Sequence, residues 1–361
     1  MKNLSIITIL ALFLGSISFA GNGDEAASGA QYIEFSQIGN PAEVLEIKHE
    51  NARPLSAGDI RVEVLAAPIN PSDLLQIAGK YGVDPVLPYR PGSEGVGRVL
   101  EVSAEVKHIT VGQLVLLASG GTWTEEIVAP ATGFLPLPNL GPVNATMIEQ
   151  LAMSAVNPLT ALLMLNSFTD LEEGKWIVQS AANSAVGGYV IQLAKQRGIK
   201  TVNVVRREGL AEDLMAKGAD VVLIDGPDLA AQIALATDNA PIALALDPVG
   251  GKTFTRLADS LGYGGTLVAY GVLSGQPASV NTGKVIFNDI SLRGFWLSKW
   301  YQTADMKTKQ AAFGQIIPLI AQGVLKANVD SRFSIDQIEE AVSRAAAPGR
   351  NGKVLIVPNA L

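Results

Sequence analysis

Residues 179–194 read QSAANSAVGGYVIQLA. Just before them, Lys175–Gln179 has strand composition. Val186–Arg197 has helical composition and closes on Gly198. A turn of small residues between strand and helix lets the backbone approach a pyrophosphate, and the helix N-terminus points its amides at the phosphates. Set against the fingerprint G-x-G-x-x-G, Ala182 and Ala185 hold the first glycine places, and Gly187 or Gly188 follows. An ordinary strand-to-helix turn has the same texture, so the pattern alone leaves both readings open. The flanking chain decides the fold. Thr201–Val205, Val221–Ile224, Ile242–Leu246, Thr266–Tyr270 and Ser291–Trp296 read as strands. Helical segments lie between them, among them Glu208–Lys217 closed by Gly218. This alternation predicts an α/β fold with a doubly wound parallel sheet.

The second strand of that unit speaks to the nucleotide. A site for NAD wants an acidic residue there to bond the ribose hydroxyls. TVNVV ends instead in Arg206 and Arg207, followed by Glu208. A guanidinium pairs with a 2′-phosphate and offers a ribose diol no acceptor, so the expected cofactor is NADPH.

Upstream, from Gln31 to about Pro138, the texture is short strands and Pro/Gly turns. Residues 61–68, 97–102, 113–118 and 124–129 have strand composition. Strands so closely spaced predict a small barrel or sandwich. Ile148–Leu165 reads as helical, with Pro158 able to start a second helix. Lys307–Gln322 and Ile335–Ala346 read as helices and Lys353–Val357 as a strand. At 361 residues the chain is long enough for two domains.

Composition narrows the chemistry. With Cys 0 and His 2, thiolate zinc sites, iron–sulfur clusters, disulfides, cysteine nucleophiles and His-rich metal sites are excluded. A net charge of −7 argues against a nucleic-acid partner. Residues 1–20, MKNLSIITILALFLGSISFA, place Lys2 before an uncharged apolar run, with Ser18 and Ala20 spaced as for cleavage. This reads as a secretory signal peptide, followed by a polar linker at 21–30, so export is expected. A membrane tether, or a cytoplasmic protein with a misassigned start, are the alternatives.

Residues 66–97 read AAPINPSDLLQIAGKYGVDPVLPYRPGSEGVG, and here the chain resembles the medium-chain dehydrogenase/reductase superfamily. Where its alcohol dehydrogenases carry a zinc-ligand His in a GHE motif, this chain has Gly92-Ser93-Glu94. It therefore looks like the zinc-free branch, and specifically the 2-enoyl thioester reductases. APINPSD at 67–73, KYG at 80–82, SAVNPLTA at 154–161, AANSAVG at 181–187, NVVRRE at 203–208, VGGK at 249–252 and LRGFWLSKW at 292–300 carry that likeness, in order.

The resemblance implies a GroES-like β-barrel catalytic domain, from 31–157 and 298–361, and a Rossmann cofactor domain at 158–297. It implies that Tyr81 is the proton donor. Asn157, the phosphate turn Asn183, Ser184, Ala185 and Val186, and the pair Arg206 and Arg207 match cofactor-binding positions. So do Tyr270, Gly271, Val272 and Leu273 near the nicotinamide, Phe295, Trp296, Leu297 and Ser298 at a strand end, and the late Lys353. A homodimer joined through the cofactor domains is also implied.

The implied reaction is hydride addition to the β-carbon of an enoyl thioester. Charge develops on the thioester oxygen, and the α-carbon then takes a proton. Taken as residues alone, Tyr81 is an amphipathic tyrosine, Trp296 and Trp300 are core packing or an acyl-chain wall, and Lys353 is a solvated strand-end charge. His108, in a loop, reads as structural. An NADPH-dependent quinone or alkenal reductase is the alternative enzyme, and a non-catalytic NADPH-binding protein the alternative of another class.

Overall fold

The computed structural model describes residues 29–359. The expected signal peptide and most of the expected linker lie outside them, although Ala30 already opens the first strand, Ala30–Glu34.

The alternating half forms a six-stranded parallel sheet. Its spatial order is Val221–Ile224, Lys200–Val205, Trp176–Gln179, Ile242–Asp247, Leu261–Ala269, Ser291–Gly294. The chain reverses direction of travel between Trp176–Gln179 and Ile242–Asp247, which opens a crevice at the carboxyl ends of these strands. Buried Val, Ile and Leu on both faces suit strands covered by helices on each side. Gly218, at φ 108, closes helix Ala211–Lys217 in the left-handed region, as a C-terminal glycine does.

The other half is a seven-stranded, largely antiparallel sheet built around the long strand Asp59–Pro68. Gly95–Val102 pairs along that strand, and Leu114–Leu117 then Phe134–Pro136 continue outward. Glu126–Pro130 pairs with the start of the long strand and Lys353–Ile356 with its end. A hairpin, Ala30–Glu34 with Glu46–Glu50, stands beside it.

Three expectations need correction. The strand placed at 291–296 ends at Gly294, because Trp296 caps helix Leu297–Thr303 and turns the chain away from the sheet. Val329–Phe333 is an extra strand, parallel to Lys353–Ile356. The sequence VDSRF shows no apolar alternation, and its pairing comes from its neighbour. The barrel half also holds a short helix, Pro71–Ile77, started by Pro71 and closed on itself by the reciprocal bonds of Asn70 and Asp73.

One apolar cluster crosses both halves. It joins Leu65, Val96 and Leu116 of the barrel to helices Ala145–Ala152, Asn157–Ser167 and Met306–Ala321, and to Ile177 and Tyr189 of the parallel sheet. Among the described residues no single helix is long and apolar enough to cross a membrane.

Candidate active site

A cleft of about 2200 Å³ opens between the two sheets, over the crevice of the parallel one. Every residue matched to a catalytic or cofactor position lines it except Ser298.

On the parallel-sheet side, the phosphate turn is built by close backbone approach. Ser184 caps helix Ala185–Gln196 by accepting the Gly187 N–H at 3.1 Å. A Cβ on Gly187 would stand 2.5 Å from the Ala182 carbonyl oxygen, so only glycine fits there. Ala181 holds φ +47, an uncommon left-handed conformation for a residue with a side chain. Buried Gln179 braces the turn, donating to the Gly187 carbonyl at 3.0 Å and to Asn203 Oδ1 at 2.8 Å. Asp247 holds the next loop. It accepts from Gly250 N at 2.7 Å and Val249 N at 3.2 Å, and Ser180 Oγ also donates to it. Burial holds its carboxyl above the usual range.

Arg206 and Arg207 stand exposed at the end of Lys200–Val205. The Tyr270 hydroxyl is buried with no hydrogen-bond partner, and burial pushes its acidity down. A glycine cradle, a basic strand end and an unpartnered buried hydroxyl together fit NADPH. Asn183, Ser184 and Ala185 would hold the pyrophosphate, Arg206 and Arg207 the 2′-phosphate, and the Tyr270–Leu273 turn would flank the nicotinamide.

On the facing side, Tyr81 meets the segment after the last parallel strand. Trp296 Nε1 donates to the Tyr81 hydroxyl at 2.8 Å, and the two rings meet edge to face at 6.2 Å. Ser298 Oγ lies 3.4 Å from the same hydroxyl. Because the indole fills one acceptor direction, the phenolic proton is left for another partner. Trp296 and Trp300 are partly exposed lining residues, not closed core. With Phe168 and Phe295, whose rings meet edge to face at 6.2 Å, they make part of the wall apolar. His108 lies exposed on a loop away from the cleft.

The cleft floor holds a buried polar cluster of which the sequence had singled out only Asn157 and Lys353. Glu94, wholly buried, accepts from the Ala155 and Val156 N–H groups at 2.9 and 2.8 Å through one oxygen. Its other oxygen accepts from Asn70 at 3.0 Å and Asn157 at 3.5 Å. Lys353 Nζ donates to Asn70 Oδ1 at 2.5 Å and is buried, which corrects its reading as a solvated charge. Asp73 accepts from Asn70 N at 2.7 Å and from Ser93 Oγ. Burial pushes Asp73 up to about 6, raises Glu94 and lowers Lys353. Members as far as 283 residues apart meet here, and no local pattern announces such a meeting.

The alcohol dehydrogenase GroES-like domain family matches residues 56–139, and the zinc-binding dehydrogenase family matches 185–312. The donors here do not fit zinc. The chain has no Cys, Ser93 stands at the ligand position, and both Glu94 oxygens are taken by amides. Among the described residues no group of three or more His, Cys, Asp or Glu converges as a metal site.

Mitochondrial enoyl-[acyl-carrier-protein] reductases are similar over most of the chain. That of Caenorhabditis elegans is 41% identical over 294 residues, 79% of this chain and 83% of that one. That of Rattus norvegicus is 35% identical over 328 residues, 89% and 87%. Two solved structures each superpose with a TM-score of 0.82, covering 91% of this chain and 99% of theirs. One is an Etr1p complex with NADP and crotonyl-CoA, 28% identical; the other is the Etr1p/Etr2p 2-enoyl thioester reductase heterodimer of Candida tropicalis, 30% identical. Sequence, fold and the zinc-free site agree, and the chain belongs to the enoyl-[acyl-carrier-protein] reductase family within the zinc-free medium-chain dehydrogenases/reductases.

Proposed function

We propose that the protein reduces the C=C bond of a 2-enoyl thioester, using NADPH. The observation that carries the reading is the Tyr81 hydroxyl, facing the cleft and accepting from Trp296 Nε1 at 2.8 Å. Bound NADPH would supply a hydride to the β-carbon. As the hydride arrives, negative charge spreads to the thioester oxygen and the α-carbon. Tyr81 then gives its proton to the α-carbon, and the indole N–H steadies the phenolate oxygen left behind. Phe168, Phe295 and Trp300 exclude water from the acyl chain and orient it. The family relationship and the solved complex of a relative with NADP and crotonyl-CoA support this reading.

The test is NADPH oxidation by the purified protein with crotonyl-CoA. Tyr81→Phe should lower kcat by roughly 10²–10⁴-fold, the range of a general acid. Full activity in that variant would remove the assignment. Turnover of quinones in preference to crotonyl-CoA, insensitive to Tyr81, would instead favour the quinone reductase reading. Cofactor binding without turnover of any acceptor would favour the non-catalytic one.

We also infer a homodimer joined through the parallel sheets. The edge strand Ser291–Gly294 is exposed along its whole length, and Ile286, Phe287 and Tyr263 stand 71%, 79% and 80% exposed nearby. An open edge with an apolar flank suits pairing with a second copy. Sedimentation equilibrium reads the outcome, and a monomer at micromolar concentration removes the inference. The export leader is tested by N-terminal sequencing of the mature protein after fractionation.

A further inference from the structure

Three cations on the cleft wall have no part in hydride transfer or proton donation. Lys217 ends helix Ala211–Lys217, and its Nζ reaches back toward helix Ala185–Gln196. There it lies 3.7 Å from where a Cβ on Gly188 would stand. Lys326 belongs to the facing segment, which Gln192 pins to the same helix. Gln192 Nε2 donates to the Lys326 carbonyl at 2.9 Å, and Lys326 N donates to Gln192 Oε1 at 2.8 Å. Arg350 stands on the far side of that segment, where its neighbour Asn351 accepts from Asn328 at 3.2 Å.

All three line the cleft, and none forms an ion pair among the described residues. Two acids lie nearby, and neither forms an ion pair with the three cations. Asp330 is held by Arg344 through bonds of 2.7 and 2.6 Å, and Asp213 is exposed one turn before Lys217 on its own helix. Burial first, and the like charge of Lys326 with it, hold the Lys217 ammonium below its usual range against the opposing pull of Asp213. Like charges on a partly dry wall repel one another, and an anion placed between them relieves that repulsion.

We propose that Lys217, Lys326 and Arg350 form a phosphate-recognition site, in addition to the Arg206 and Arg207 pair. This rests on reading the cleft as the seat of NADPH and of a thioester carried on phosphopantetheine. Both bring phosphates, the 2′-phosphate of the cofactor and those of the carrier arm. The bare backbone at Gly188 leaves the approach to Lys217 open.

The test uses the full-length protein and calorimetric titration, with no turnover required. The triple variant K217Q/K326Q/R350Q is titrated with 2′,5′-ADP against 5′-AMP, and with CoA against pantetheine. A charge-keeping variant, K217R/K326R, and the thermal midpoint report on folding. The expected result is a loss of at least about tenfold in affinity for one phosphate-richer probe, and less than about twofold for its phosphate-poorer partner. The charge-keeping variant should retain binding. A loss confined to 2′,5′-ADP assigns the site to the cofactor's 2′-phosphate, and one confined to CoA assigns it to the carrier. Unchanged affinity for every probe, or an equal loss on all four, overturns the site. Wild-type protein that binds these probes but does not oxidise NADPH with crotonyl-CoA leaves the site standing and removes the reaction.

Discussion

Replacing Glu94 by Ala tests how the two halves of the cleft are held in register. Glu94 belongs to the barrel side, yet one of its oxygens takes the Ala155 and Val156 N–H groups, at 2.9 and 2.8 Å, just before helix Asn157–Ser167. Removing the carboxylate strands two buried backbone donors, at ~1–3 kcal/mol each. It also removes the main negative charge facing the buried Lys353 ammonium, and breaking a buried charge pair costs ~3–5 kcal/mol. The two losses share the same relaxation and water entry, so they do not add, and a total on the order of 4 kcal/mol is expected. Glu94→Gln keeps the shape but turns one acceptor into a donor. Whichever way the amide faces, a donor meets a donor, and ~1–3 kcal/mol is lost. Denaturant and thermal unfolding measure both variants, and the NADPH KM should rise in each as Asn157 and Lys353 lose their anchor. A loss in Glu94→Ala under about 1 kcal/mol, or a smaller loss there than in Glu94→Gln, would refute the reasoning.

Trp296→Phe keeps an aromatic ring but removes the donor to Tyr81, so kcat with crotonyl-CoA should fall roughly three- to tenfold. Gly187→Ala forces a Cβ within 2.5 Å of a backbone oxygen. NADPH binding, followed by fluorescence, should weaken by more than about tenfold, and stability should fall by ~1–3 kcal/mol. Asp73 titrates at about 6 when folded, above the unfolded ~3.9, so the folded protein holds its proton more tightly. Its contribution to stability is full below pH ~3.9 and is lost as pH rises through about 6. Asp73→Asn should therefore flatten the pH dependence of unfolding between those values, and an unchanged slope would count against it.

The legible parts of this protein were those written in local periods. Strand, turn and helix around residues 175–197 follow from apolar spacing and small residues, and the structure keeps each boundary within a residue or so. Boundaries failed where a neighbour decided them. Val329–Phe333 is a strand because Lys353–Ile356 lies alongside, and Leu297–Thr303 becomes a helix where the chain leaves the sheet edge. Tyr81 was found through its likeness to a family. As a lone tyrosine it carried no signal, since its partner Trp296 is 215 residues away.

By itself the sequence determined the doubly wound sheet, the preference for a 2′-phosphate and the impossibility of a thiolate zinc site. These depend on residue identity and on spacing within a few turns of chain. Only the tertiary structure decided that Lys353, Glu94 and Asp73 share one dry floor, that Trp296 orients Tyr81, and that Lys217 and Lys326 face each other. Burial and charge pairing are set by which distant segments come to lie together, and chain order does not encode that proximity.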